Sequence, residues 1–171
     1  MAASMQEALA EAQRLQAAYG AAILGDERLR GLLSAYQEAI VQTAALTAEL
    51  AVERICVACA ARDAVCCFTG VEKRYDQYLL LINLLLGARL PLEAELTDSC
   101  FFCGSQGCKL LAKNSFCLNF FCPEIRQALG ADNLARLLRQ VGQELSAQWE
   151  LDRVLIPWLW QRQAQETEQG R

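Results

Sequence analysis

The chain has 171 residues, enough for one domain with a real apolar core, and 54% of them are hydrophobic against 21% charged. A net charge of −4, with no Lys/Arg stripe, excludes the electrostatic footprint of a nucleic-acid binder. Nine cysteines and no histidine exclude the His-based catalytic zinc arrangements and leave thiolates as the soft-metal donors.

Residues 1–50 are expected to form an N-terminal helical hairpin. Ser4 to Tyr19 is rich in Ala, Gln, Glu and Leu, all good helix formers. Gly20 to Gly25 suggests a break, and Asp26 suits the N-cap of a second helix. There Leu29, Leu32, Leu33, Tyr36 and Ile40 recur at three- and four-residue steps and mark one apolar face. Residues 51–125 are expected to be a cysteine-rich metal-binding core around a buried helix, Val71 to Leu86, which Thr69-Gly70 introduces. The apolar run Tyr78 to Leu86 is interrupted by Asn83 and stopped by Gly87. It is far short of the roughly 20 residues of a membrane span, so it points to a buried core helix in a soluble protein. Gly87 to Ser99 is a connector, and Cys100 to Pro123 is short, aromatic and cysteine-rich, with Gly104 and Gly107 allowing tight turns.

Residues 126–171 are expected to hold the C-terminal helices. Pro123 suits a helix N1 position, and Asp132 can cap a fresh start after Gly130. Leu134, Leu137, Leu138, Val141 and Leu145 give another stripe. Pro157 is expected to kink or end the helix, with Trp158-Leu159-Trp160 folding back on the body and the tail after Gln161 frayed. No alternating strands of any length are expected. The fold class is therefore mainly α: a single-domain helical bundle with a metal- or cluster-organised loop region.

The cysteines fall into a group of four, Cys56, Cys59, Cys66 and Cys67, and a group of five, Cys100, Cys103, Cys108, Cys117 and Cys122. The start of the chain lacks a basic n-region followed by an apolar stretch, which points to a cytoplasmic, reducing compartment. There, clustered cysteines bind metal or do redox chemistry more often than they staple a fold. Cys56-Val-Ala-Cys59 is a C-x-x-C turn that can place two sulfurs on one metal, and the second group supplies Cys100-Phe-Phe-Cys103, Cys108 and Cys117-Leu-Asn-Phe-Phe-Cys122.

This order resembles the zinc- or iron-chelating domain family of the CxxCxxCC type (YkgJ-like). That family has a C-x-x-C, a Cys-Cys pair, a Cys-x-Phe-Leu segment, a Gly-Cys-x-Ile-Tyr segment, an Arg-Pro and a closing cysteine pair. Here Cys56, Cys59, Cys66 and Cys67 are similar to the first part, Cys100-Phe101-Phe102 and Gly107-Cys108-Lys109-Leu110-Leu111 to the middle segments, and Cys117 and Cys122 to the closing pair. Six residues rather than two separate Cys59 from Cys66, Lys113-Asn114-Ser115 stands where the family has Arg-Pro, and Cys103 is extra. The resemblance covers about Cys56 to Pro123. It implies a metal or iron–sulfur centre ligated by Cys56, Cys59, Cys66, Cys67, Cys100, Cys108, Cys117 and Cys122; Cys103, outside the pattern, is expected to be a spare or reactive thiol, with ligation as its alternative.

Eight or nine thiolates exceed the four that one structural zinc needs, which favours an iron–sulfur cluster over zinc. Phe101, Phe102, Phe116, Phe120 and Phe121 are candidates for an apolar shell around it. The expected function is a small redox, electron-transfer or redox-sensing protein that works with an unknown protein or redox partner. The alternatives are a structural zinc module with a helical partner-binding surface on residues 29 to 40, and a metal-dependent enzyme. For an enzyme the candidate acid–base groups are Glu72, Lys73, Arg74, Tyr75 and Asp76.

Overall fold

A computed structural model describes residues 4–60, 67–105 and 107–169, with the backbone alone for 57–60 and for 169. Helix α1, Met5–Gly25, starts on a capping box. The Ser4 hydroxyl accepts from the Glu7 amide at 3.2 Å, and the Glu7 carboxylate accepts from the Ser4 amide at 2.6 Å. The expected break at Gly20 to Gly25 does not occur. Gly20 is buried inside the helix, where an added Cβ would sit 3.4 Å from Gln16 and 3.9 Å from Leu85 in ordinary contact, so the helix runs on because Tyr19 and Ile23 on the same stretch are buried in the core. Asp26 joins α1 to α2, Glu27–Glu49. Its amide donates to Ala22 O and Ile23 O, while its carboxylate accepts from Leu29 N at 3.0 Å.

Leu29, Leu33 and Tyr36 are buried and Leu32 and Ile40 pack against the same core, so the apolar face of α2 is not left open to a partner. Ala51, at φ 54°, turns the chain into α3, Val52–Ala60. The single helix expected over Val71 to Leu86 is instead two pieces: a one-turn 3₁₀ helix at Val71–Arg74, then α4, Gln77–Leu85. Tyr75 is extended and the Asp76 carboxylate accepts from Tyr78 N and Leu79 N, so a good N-cap inside the run restarts the helix.

Two strands of two residues each follow, β1 Cys103–Gly104 and β2 Gly107–Cys108, then the short α5, Ser115–Asn119. Helix α6 spans Pro123–Gln169, and its one non-helical residue is Gly130 at φ 67°, ψ 175°, where a restart was expected. Pro157 does not end it. Leu155 and Leu159, on either side, are fully buried, and this packing outweighs the one backbone hydrogen bond that proline removes. Nor does the helix end at Gln161: Tyr19 donates to the Glu166 carboxylate at 2.6 Å, Tyr19 meets Trp158 edge to face at 6.3 Å, and Trp160 Nε1 donates to Tyr78 Oη at 2.7 Å.

The protein is thus mainly helical, with α1, α2, α4 and the C-terminal half of α6 around a core that includes Leu15, Ile23, Leu29, Tyr36, Leu80, Ile82, Leu151 and Leu155. A second cluster joins Leu46 to Leu118, Cys122, Ile125, Leu129, Leu137 and Val141. Leu134 and Leu145 flank it, while Leu138, expected on this stripe, is exposed. No helix among the described residues is long and apolar enough to cross a membrane.

Polar groups line the junction of α6 with α2 and α4. Glu144 is buried beside Thr43, the Gln148 Oε1 and Tyr36 Oη atoms are buried with no hydrogen-bond partner among the described residues, and Asp152 borders a cavity of about 90 Å³ with Arg74, Asp76 and Asn114. Burial, and then the neighbouring Asp76, push the Asp152 carboxyl up to about 6 from 3.8. The folded protein therefore holds this proton more tightly than the unfolded chain does, and stability is lost as pH rises from about 4 to about 6. Asp152→Asn is expected to raise stability by about 1 kcal/mol above pH 6, a figure reduced for solvent screening, with the gain vanishing below pH 4. Urea melts across that range would refute this if the gain did not depend on pH.

Candidate functional site

Three separated segments meet where the second cysteine group folds. The Cys100 amide donates to Cys67 O at 2.7 Å, and Phe68 pairs with Ser99 in an antiparallel bridge, so the first group's end lies against the start of the second. The Cys103 amide then donates to Cys100 O at 2.8 Å, closing the C-x-x-C turn. β1 and β2 pair antiparallel with Cys103 directly opposite Cys108, a register that brings Cβ atoms to about 4.5–5.5 Å. Gly107, at φ 96°, supplies the positive φ that the tight hairpin turn needs.

The hairpin is buttressed from outside. Glu95 accepts from Ser105 N at 2.7 Å and pairs with Lys109 Nζ at 2.7 Å, and these contacts hold its carboxyl down at about 2. A side chain at Gly104 would come within 2.6 Å of the Glu95 carboxylate, so glycine leaves room for the ion pair. From inside, Asn83 of α4 anchors the strand's continuation. Its Nδ2 donates to Leu79 O and Ala112 O, each at 2.9 Å, and its Oδ1 accepts from Leu111 N at 2.9 Å and Ala112 N at 3.0 Å. The side chain is fully buried, and every polar atom on it is used.

Tyr75 links the hairpin to α5. Its ring meets Phe102, between Cys100 and Cys103, at 5.1 Å, and its hydroxyl accepts from Asn114 N at 3.1 Å and donates to Cys117 Sγ at 3.5 Å. Asn114 caps α5 through Phe116 N and donates to Arg74 O at 2.8 Å, and Arg74 lies 4.4 Å over the Phe116 ring.

The thiols share one electrostatic neighbourhood. Cys67 is exposed as a residue, yet the protein atoms around its sulfur push the thiol up to about 12, and Cys103, Cys108, Cys100 and Cys117 each add to that shift. Burial raises Cys100 to about 11 and also raises Cys117, while Tyr75, Lys113 and Arg74 act on Cys117 in the opposite sense. Cys67, Cys100, Cys103, Cys108, Cys117 and Cys122 are all free thiols. Among the described residues no three Cys, Asp or Glu side chains already stand in a ligating arrangement.

Of the expected ligands, Cys67, Cys100, Cys108 and Cys117 are thus brought together, and Cys103, the extra one, belongs to the same group. Cys56 is exposed on α3, and Cys122 is buried in the second apolar cluster beside Leu118 and Ile125. Cys66 and the side chain of Cys59 lie outside the described residues. Of the expected aromatic shell, Phe102 is fully buried, Phe101 and Phe116 pack on the core, Phe120 stacks on Phe116 but is 44% exposed, and Phe121 joins the second cluster. The candidate acid–base groups have structural tasks: Glu72 accepts from Gly70 N, Asp76 caps α4, and Tyr75 and Arg74 hold the loop. Sequence reasoning missed the roles of Asn83 and Tyr75; for Asn83 the signal was a polar side chain set within the apolar run Tyr78 to Leu86, and Tyr75, between Arg74 and Asp76, carried no such signal.

No family model, curated protein or solved structure matches the chain, so its function has to be argued from these residues.

Proposed function

We propose that the protein holds a cysteine-ligated metal centre at this hairpin, an iron–sulfur cluster in preference to zinc, and serves as a small redox, electron-transfer or redox-sensing protein in a reducing, cytoplasmic setting. The observation that carries this is the gathering of Cys67, Cys100, Cys103, Cys108 and Cys117 from three chain segments into one neighbourhood. The donor set fits: it is all sulfur, more numerous than one zinc needs, and the chain has no histidine to compete. Binding would draw these sulfurs together, with Cys59 and Cys66 as further donors. The cysteine order that resembles the CxxCxxCC-type chelating family supports the same conclusion. The free state of the described thiols other than Cys56 suits a compartment that keeps them reduced.

Anaerobic purification with measurement of iron, zinc and acid-labile sulfide per chain tests the proposal. Iron with matching sulfide and a visible charge-transfer band that bleaches on reduction is expected. Colourless protein with stoichiometric zinc would favour the structural zinc module, which the Cys100-to-Cys103 turn followed by Gly104 also suits. Protein lacking either metal after anaerobic reconstitution with each would end the proposal. Metal removal by a chelator is expected to loosen the cysteine-rich segment from 67 to 122 while α1, α2 and α6 stay helical, because structural metal contributes apparent binding energies of about 10–16 kcal/mol. An unchanged near-UV circular dichroism spectrum after full metal loss would refute that.

A further inference from the structure

We infer that Tyr75 is a positioning residue for this centre, its hydroxyl orienting the Cys117 sulfur and withdrawing electron density from it; this rests on the proposed thiolate site. The geometry is specific. The phenol is buried, and its oxygen has two partners, accepting from the Asn114 amide at 3.1 Å and donating to Cys117 Sγ at 3.5 Å. Because the backbone amide occupies the acceptor side, the hydroxyl proton is directed at the sulfur. A thiolate has only acceptor capacity, so deprotonation of Cys117 on metal binding strengthens this contact rather than breaking it.

The ring does a second job. Edge-to-face contact with Phe102 at 5.1 Å fixes the middle of the Cys100-to-Cys103 turn, while the hydroxyl fixes Cys117 on α5. One side chain therefore sets the spacing between two ligand-bearing segments that lie far apart in sequence. Asn114 completes the brace by capping α5 and donating to Arg74 O. Hydrogen bonds to ligating sulfur lower its donor strength and tune the metal, and partners of this kind change metal affinity by about 10–100-fold.

The test loads the full chain with Co²⁺, whose sulfur-to-metal charge-transfer bands report thiolate donor strength, and compares wild type with Tyr75→Phe and Tyr78→Phe. Tyr75→Phe keeps the ring packing and removes only the hydroxyl. It is expected to bind Co²⁺ about tenfold more weakly and to move the charge-transfer bands to longer wavelength, since the sulfur without its donor gives up electron density more easily. Tyr78→Phe, whose hydroxyl serves Trp160, should leave the bands in place. Charge-transfer bands in Tyr75→Phe at the wild-type wavelength overturn the inference. Absence of thiolate–cobalt bands in the wild type would instead overturn the proposed function. If Tyr75→Phe does not fold, the wild type loaded with ¹¹³Cd decides: a slowly exchanging Tyr75 hydroxyl proton coupled to the metal supports the inference, and free exchange with solvent overturns it.

Discussion

Asn83→Leu is expected to cost about 4 kcal/mol of stability, even though leucine has the same branching as asparagine and the residues flanking Asn83 in α4, from Leu79 to Leu85, are apolar. The side chain supplies four hydrogen bonds, three of them to the backbone of Leu111 and Ala112. Leucine would leave Leu111 N, Ala112 N and Ala112 O unpaired near or within the core, at about 1–3 kcal/mol each. The gain from burying a leucine side chain, about 1.5–3 kcal/mol, offsets part of that. For a chain of this length the melting temperature should fall by about 10 °C. Amide exchange at Leu111 and Ala112 should quicken more than exchange within α1 or α2, because the loop would come away from α4 before the bundle opens. A loss below about 1 kcal/mol, or uniform quickening, would show that Asn83 does not anchor the hairpin.

The second large effect separates the cysteines from one another. If the proposed metal centre forms at the hairpin, Cys103→Ser and Cys108→Ser are expected to lose most of the metal, whereas Cys122→Ser should keep it and lose only modest stability. Cys103 and Cys108 face each other across the two-stranded ladder and share the neighbourhood of Cys67, while Cys122 packs beside Leu118 and Ile125 in the other apolar cluster. If four thiolates share about 10–16 kcal/mol of binding energy, removing one costs roughly 3 kcal/mol, or more than 100-fold in affinity. Metal content of the purified variants, measured beside their thermal melts, checks this. Full metal retention by Cys103→Ser and Cys108→Ser, with loss in Cys122→Ser, would place the centre elsewhere.

Long helices were legible from spacing alone. The stripe Leu29, Leu33 and Tyr36 is buried as its period requires, and Asp26 caps α2 as its side chain chemistry requires. Glycine and proline misled where packing overrode local preference. The helix runs through Gly20 because Tyr19 and Ile23 near it are buried, and Pro157 sits inside α6 because its neighbours Leu155 and Leu159 are fully buried. The division of Val71 to Leu86 was visible in principle: Asp76 is a strong N-cap whose carboxylate takes two amides. The apolar run that follows masked it.

The candidate site divides in the same way. Residue type and spacing alone determine that any soft-metal centre here is built from sulfur, because nine cysteines stand in two groups and histidine is absent. Local patterning alone likewise determines a mainly helical chain, since helix period and capping depend on near neighbours. Only the tertiary structure decides which thiols can meet. Cys67 reaches Cys100 through a backbone hydrogen bond, Cys103 reaches Cys108 through strand register, and Cys117 reaches them through Tyr75, while Cys122, five residues further on, faces another cluster. Those meetings depend on contacts between segments about thirty to forty residues apart, such as Asn83 with Ala112 and Tyr75 with Cys117, and short-range spacing carries no information about them.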